Sequence, residues 1–115
     1  MNLLFATSEL FPLIKTGGLA DVSQSLPLAL RQAGVDVTLV LPAYRSVLAQ
    51  LPAPLARLPV NDAFVPAETV VLEHRLPGSD LRLLLVQPGD LFDRDGGPYS
   101  DAKGLDWPDN ADRFA

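Results

Sequence analysis

The sequence predicts an α/β fold that opens with a parallel βαβ unit, and three observations lead there. Asn2 to Thr7 is an apolar run with strand character. A glycine pair, Gly17-Gly18, follows it, and apolar residues then recur at helical spacing as far as Gly34. Val35 to Leu41 restores the strand pattern and stops at Pro42. Strand, helix and strand at this spacing form a parallel pair joined by a right-handed crossover.

Leu3-Leu4-Phe5-Ala6 is nearly continuous apolar sequence, as expected of a strand covered on both faces of a parallel sheet. Ser8 and Glu9 follow at its C-terminal end, the side on which open α/β sheets bind ligands. Glu9 is therefore either a site-lining residue or a solvated carboxylate. The helix should run from about Leu19 to Ala33, with Leu19, Val22, Leu26, Leu30 and Ala33 as its core face. Gly34 is placed to cap its C-terminus. Pro27 lacks the N–H that the ladder needs and predicts a kink or local break. From Pro42 to Ala67, prolines at positions 42, 52, 54, 59 and 66 exclude a long helix, leaving room for a short one within Arg45 to Leu51. Thr69 to Leu76 and Leu81 to Gln87 read as strands around the turn Pro77-Gly78-Ser79-Asp80, an antiparallel hairpin. His74, the only histidine, is expected at the surface without a chemical role. Pro88 to Pro108 is a glycine-, proline- and aspartate-rich loop carrying Tyr99 and Trp107. Its aspartates lack the 12-residue order and closing glutamate of a calcium-binding hand, so no metal is predicted. Asp109 is expected to cap a helix over Asn110 to Ala115.

Composition narrows the function classes. A net charge of −5 argues against a nucleic-acid partner, which would require a basic face. From Asp90 onward the chain holds seven acids and three bases, so most of the negative charge is local to that tail. No cysteine is present, which rules out disulfides and thiolate chemistry and fits a reducing compartment. No apolar run approaches the roughly 20 residues of a membrane span. The N-terminal run lacks a basic leader and reads as a first strand rather than a signal peptide.

The chemistry is concentrated in Leu13-Ile14-Lys15-Thr16-Gly17-Gly18-Leu19-Ala20-Asp21-Val22. A strand, a glycine turn and a helix place backbone N–H groups at a helix N-terminus, where the macrodipole favours an anion. Glycine permits positive φ and lets a ligand approach without meeting a Cβ, and Lys15 adds a mobile positive charge. A phosphate-bearing ligand over Gly17-Gly18 is one reading; a plain tight turn before a helix is the other. Asp21 lies in the first turn, where a carboxylate also favours the helix dipole. Neither G-x-x-x-x-G-K-[ST] nor G-x-G-x-x-G is present.

The longer string is more specific. Glu9-Leu10-Phe11-Pro12 with Lys15-Thr16-Gly17-Gly18-Leu19-Ala20-Asp21-Val22 resembles the N-terminal signature of bacterial glycogen synthases and the related starch synthases. Val40-Leu41-Pro42-Ala43-Tyr44, Leu91-Phe92-Asp93-Arg94, Gly97-Pro98-Tyr99 and Asp109-Asn110-Ala111-Asp112-Arg113-Phe114 match in order. The resemblance implies a retaining glucosyltransferase that moves glucose from ADP-glucose to the growing end of an α-1,4-glucan. It implies a GT-B enzyme, two Rossmann-like domains facing a cleft, of which residues 1–115 are the start of the N-terminal, acceptor-side domain. Carried over, Lys15, Gly17 and Gly18 contact the donor's phosphates, Asp21 lines the donor site and Tyr99 lies near the sugar. Glu9 joins these as a site-lining residue. The family implies no cofactor and no metal, a bacterial and cytoplasmic setting, and main catalytic residues beyond Ala115, so that residues 1–115 alone are expected to be inactive. Two other classes compete. A dinucleotide-dependent oxidoreductase would need the missing glycine fingerprint and an acid after the second strand, where Pro42-Ala43-Tyr44-Arg45 stands. A non-catalytic glucan-binding module would need exposed aromatics, and few are available.

Overall fold

The structure, a computed structural model, describes residues 1–115. Strand β1 (Asn2–Ala6) leads through a loop into helix α1 (Gly18–Gln32), then strand β2 (Asp36–Pro42) and a single helical turn, α2 (Arg45–Leu48). Strands β3 (Ala56–Val60), β4 (Thr69–Arg75) and β5 (Arg82–Pro88) follow, and α3 (Asn110–Arg113) lies near the C-terminus. The five strands form one mixed sheet in the order β1-β2-β5-β4-β3. β1 and β2 are parallel, with Leu4 opposite Thr38, and β2 is parallel to β5, with Val40 opposite Leu84. β4 and β5 form the antiparallel hairpin expected around Pro77-Gly78-Ser79-Asp80, with Leu72 opposite Leu85. No helix is long and apolar enough to cross a membrane.

The core lies where the central strands turn one set of alternating residues inward. Leu39 and Leu41 of β2, Leu83 and Leu85 of β5, and Val70 and Leu72 of β4 pack with Leu10, Leu13, Tyr44, Val47 and Phe92. His74 belongs to the same inward set of β4 and is 3% exposed, so it is a core residue and not the surface histidine expected. Its Nε2 has no partner, and burial lowers its pKa below the ordinary value. β3, which the sequence pattern did not reveal, pairs antiparallel with β4. It forms one edge of the sheet, where Pro59 is tolerated because an edge strand can spare an N–H.

Four other expectations change. β1, at the opposite edge of the sheet, is not covered on both faces, since Leu4 is 66% exposed. α1 runs unbroken through Pro27 and turns Ala20, Ser23 and Pro27 inward. Leu19, Val22 and Leu26, the face expected in the core, are exposed. Small residues let the helix approach closely, and the Ser23 hydroxyl meets that of Thr7, just past β1, at 2.8 Å. Its C-terminus is as expected. Gly34 takes φ +89°, and the N–H groups of Gly34 and Val35 donate to the carbonyls of Arg31 and Leu30. Asp109 does stand before α3, but its carboxylate does not cap the helix. It binds Arg94 through both oxygens, at 2.7 and 2.6 Å.

The long loop after β5 is held by arginines. Arg113 is 5% exposed and donates to the carbonyls of Leu91 and Pro98 and to Asn110 Oδ1. The rings of Phe92, Trp107 and Phe114 surround it. Arg45 reaches Asp93 and Asp95 from α2. These contacts bring Tyr99 back to the end of β1.

Candidate functional site

β1 ends at Ala6, and the chain from Thr7 to Gly17 folds over the C-terminal edge of the parallel strands before α1 begins. Glu9 is its centre. Although acidic, it is 4% exposed, and both its oxygens are engaged. Oε1 accepts the N–H of Thr16 at 2.7 Å and that of Gly17 at 3.2 Å. Oε2 accepts the Tyr99 hydroxyl at 2.8 Å. Burial works to raise the pKa of this carboxyl, but the Thr16 N–H, the Tyr99 hydroxyl and the Gly17 N–H outweigh it and hold the value below the ordinary 4.5. The Tyr99 oxygen also lies 2.5 Å from Ser8 Oγ. Tyr44 donates to the Ser8 carbonyl at 2.8 Å, and burial pushes its phenol well up.

Lys15 and Asp21 face each other across the entry to α1, with Nζ 2.5 Å from Oδ2. Both side chains are about half exposed, so the pair adds little stability and can exchange partners. The helix itself starts without a side-chain cap. Gly17, its N-cap, is extended at φ −162° and ψ −156°. The N–H groups of Gly18 and Leu19 have no partner in the protein.

The two glycines need a reason other than the one given for turns. Neither has positive φ, so the conformational freedom expected of them is not in use. A Cβ at Gly17 or Gly18 would meet nothing within 4 Å. Neither backbone nor packing demands glycine, and what remains is open space, which at Gly18 lies in front of an unpaired N–H. Nearby, Ser8 lines a cavity of about 520 Å³ at the C-terminal ends of β1, β2 and β5, which Pro42, Phe92 and Arg113 also line.

The structure thus brings Glu9, Lys15, Gly17, Gly18, Asp21 and Tyr99 into one place. The sequence gives no role to Ser8, Tyr44 or the Thr16 N–H, whose part depends on contacts made across the fold. A model of the starch synthase catalytic domain matches residues 2–115. The chain belongs to that family. Among its relatives, the glycogen synthase of Paramagnetospirillum magneticum is 52% identical over the whole chain, that of Marinomonas sp. 45% and that of Rhodospirillum rubrum 43%. The chain spans about a quarter of the length of these relatives (24% in each case). Among solved structures, the catalytic domain of Starch Synthase IV from Arabidopsis thaliana, bound to ADP and acarbose, superposes with a TM-score of 0.63. At 24% identity, over 89% of this chain and 21% of that one, the likeness shows a shared fold. The Rossmann-like α/β start expected from the sequence is therefore the fold of part of a starch synthase catalytic domain. The family decides against the dinucleotide oxidoreductase and the non-catalytic binding module.

Proposed function

We propose that residues 1–115 begin the N-terminal, acceptor-side domain of a cytoplasmic, retaining glucosyltransferase that transfers glucose from ADP-glucose to the growing end of an α-1,4-glucan in glycogen synthesis. The turn from Lys15 to Asp21 holds the donor's diphosphate. Family membership supports the reaction class. The observation that carries the site is the uncapped N-terminus of α1, with open space over Gly17 and Gly18 and the Lys15 ammonium beside it. The reaction develops negative charge on the leaving diphosphate and positive charge on the sugar. Free N–H groups at a helix N-terminus and a mobile cation suit the first of these. Asp21 holds Lys15 before the donor arrives and gives it up to a more highly charged partner. Tyr99, expected near the sugar, has its hydroxyl committed to Glu9 and Ser8 and in this reading serves the site through Glu9.

The test uses a chimera in which residues 1–115 replace the matching stretch of the Paramagnetospirillum magneticum glycogen synthase. Lys15→Ala should lose a charge-assisted contact of about 1.5–3 kcal/mol, which is about ten- to a hundredfold in donor affinity or turnover. Lys15→Gln, which keeps most of the stem and drops the charge, should behave like alanine. Lys15→Arg should recover only part, because a planar fork does not sit where a compact ammonium did. Equal donor affinity and turnover in wild type, Gln and Ala proteins would remove Lys15 from the site.

A further inference from the structure

Glu9 is a buried carboxylate with no cation paired to it, held by two backbone N–H groups and a phenol. Those N–H groups belong to the turn that would meet the donor, and the phenol belongs to a loop ninety residues away. Burying a carboxylate is costly unless its charge is met by donors, and a well-buried apolar side chain at this position would have been easier to accommodate. We propose that Glu9 is the positioning residue of the Lys15–Gly18 turn, its carboxylate locking the Thr16 and Gly17 N–H groups to Tyr99 so that a diphosphate is left only Gly18, Leu19 and Lys15.

This inference rests on the donor-site reading and adds a reason for its register. With Oε1 on the Thr16 and Gly17 N–H groups, negative charge already fills that part of the turn, and a phosphate placed there would be repelled. Farther along the chain the Gly18 and Leu19 N–H groups are free, and that of Ala20, also without a protein partner, lies on a residue with no exposed surface. Tyr99 completes the lock, since its hydroxyl binds both Glu9 and Ser8 and so ties the Gly97-Pro98-Tyr99 segment to the end of β1. The titratable groups facing Glu9 are Tyr99 and, behind Ser8, Tyr44; both phenols are pushed upward and stay neutral in acid. Lys15 and Asp21, on the following turn, are paired with each other.

Amide spectra (15N–1H) of the 115-residue chain, followed from neutral to acid pH, test the lock directly. The Thr16 and Gly17 amide protons should shift together in one titration with a midpoint below 4.5. Glu9→Gln should abolish that titration while leaving the amides of Leu39 and Leu85 in place. Tyr99→Phe should keep it and move the midpoint up, because a donor to the charged form is gone. Thr16 and Gly17 amides that ignore pH, or that titrate alike in wild type and Glu9→Gln, would overturn the proposal. If Glu9→Gln does not fold, an unmoved midpoint in Tyr99→Phe overturns it instead. In the chimera, Glu9→Gln should raise KM for ADP-glucose about tenfold with KM for glycogen unchanged; equal loss on both substrates would reduce Glu9 to a structural carboxylate. The donor-site reading fails separately, if Lys15→Ala leaves KM for ADP-glucose unchanged while the Glu9 titration is present.

Discussion

At the scale of single residues, Gly18 and Gly96 differ in what an added side chain would meet. Gly18 takes ordinary backbone angles and a Cβ there meets nothing within 4 Å, whereas Gly96 sits at φ +101° and a Cβ there would lie 2.6 Å from the Ser100 carbonyl oxygen. Gly96→Ala should therefore destabilise the chain by about 1–3 kcal/mol. Gly18→Val should leave unfolding within about 0.5 kcal/mol of wild type and weaken ADP-glucose binding in the chimera, because the branched Cβ fills the space in front of the free N–H groups. Thermal unfolding and donor titration of the two variants check both halves; a Gly18→Val protein that binds donor normally would make Gly18 a turn residue. The grouping of Lys15, Gly17, Gly18 and Asp21 at the entry to α1 was legible because they stand in one contiguous string. The role of Glu9 was not, since its burial depends on backbone N–H groups seven and eight residues ahead and on Tyr99. His74 was legible in principle: the two-residue period through Val70 and Leu72 carries it inward.

At the scale of elements, α1 shows how periodicity can fix an element and still mislead about its packing. Leu19, Val22 and Leu26 recur at helical spacing, and the helix forms within one residue of the expected bounds. The side that meets the sheet is instead Ala20, Ser23 and Pro27, where small side chains allow close approach and a hydroxyl contact to Thr7 replaces apolar burial. Leu26→Ala should thus cost the chain less than about 1 kcal/mol, and Leu39→Ala, with its side chain fully buried between neighbouring strands, about 2–5 kcal/mol. Chemical denaturation of both variants measures the difference, and comparable losses would mean that the predicted face is packed after all. β3 escaped detection for a related reason. Pro59 and three exposed residues in five blur the alternation on which strand recognition depends.

At the scale of the whole molecule, the fold places every proposed ligand contact at the C-terminal side of the parallel strands, where open α/β sheets bind their ligands. The hairpin and the arginine-held loop after it serve that end by returning Tyr99 to β1. Family, fold and the match to about a quarter of each glycogen synthase relative (24%) bear on one claim, that these residues furnish part of a donor site for glucosyl transfer. Residues 1–115 by themselves should transfer no glucose, because a closed cleft needs a second wall. The most direct measurement is transfer of labelled glucose from ADP-glucose to glycogen by the chimera with the Paramagnetospirillum magneticum enzyme, with and without Lys15→Ala. Transfer should fall within about tenfold of the parent enzyme, drop about ten- to a hundredfold with Lys15→Ala, and be absent with residues 1–115 alone. A folded chimera that fails to transfer, or one whose donor dependence ignores Lys15, would contradict that claim.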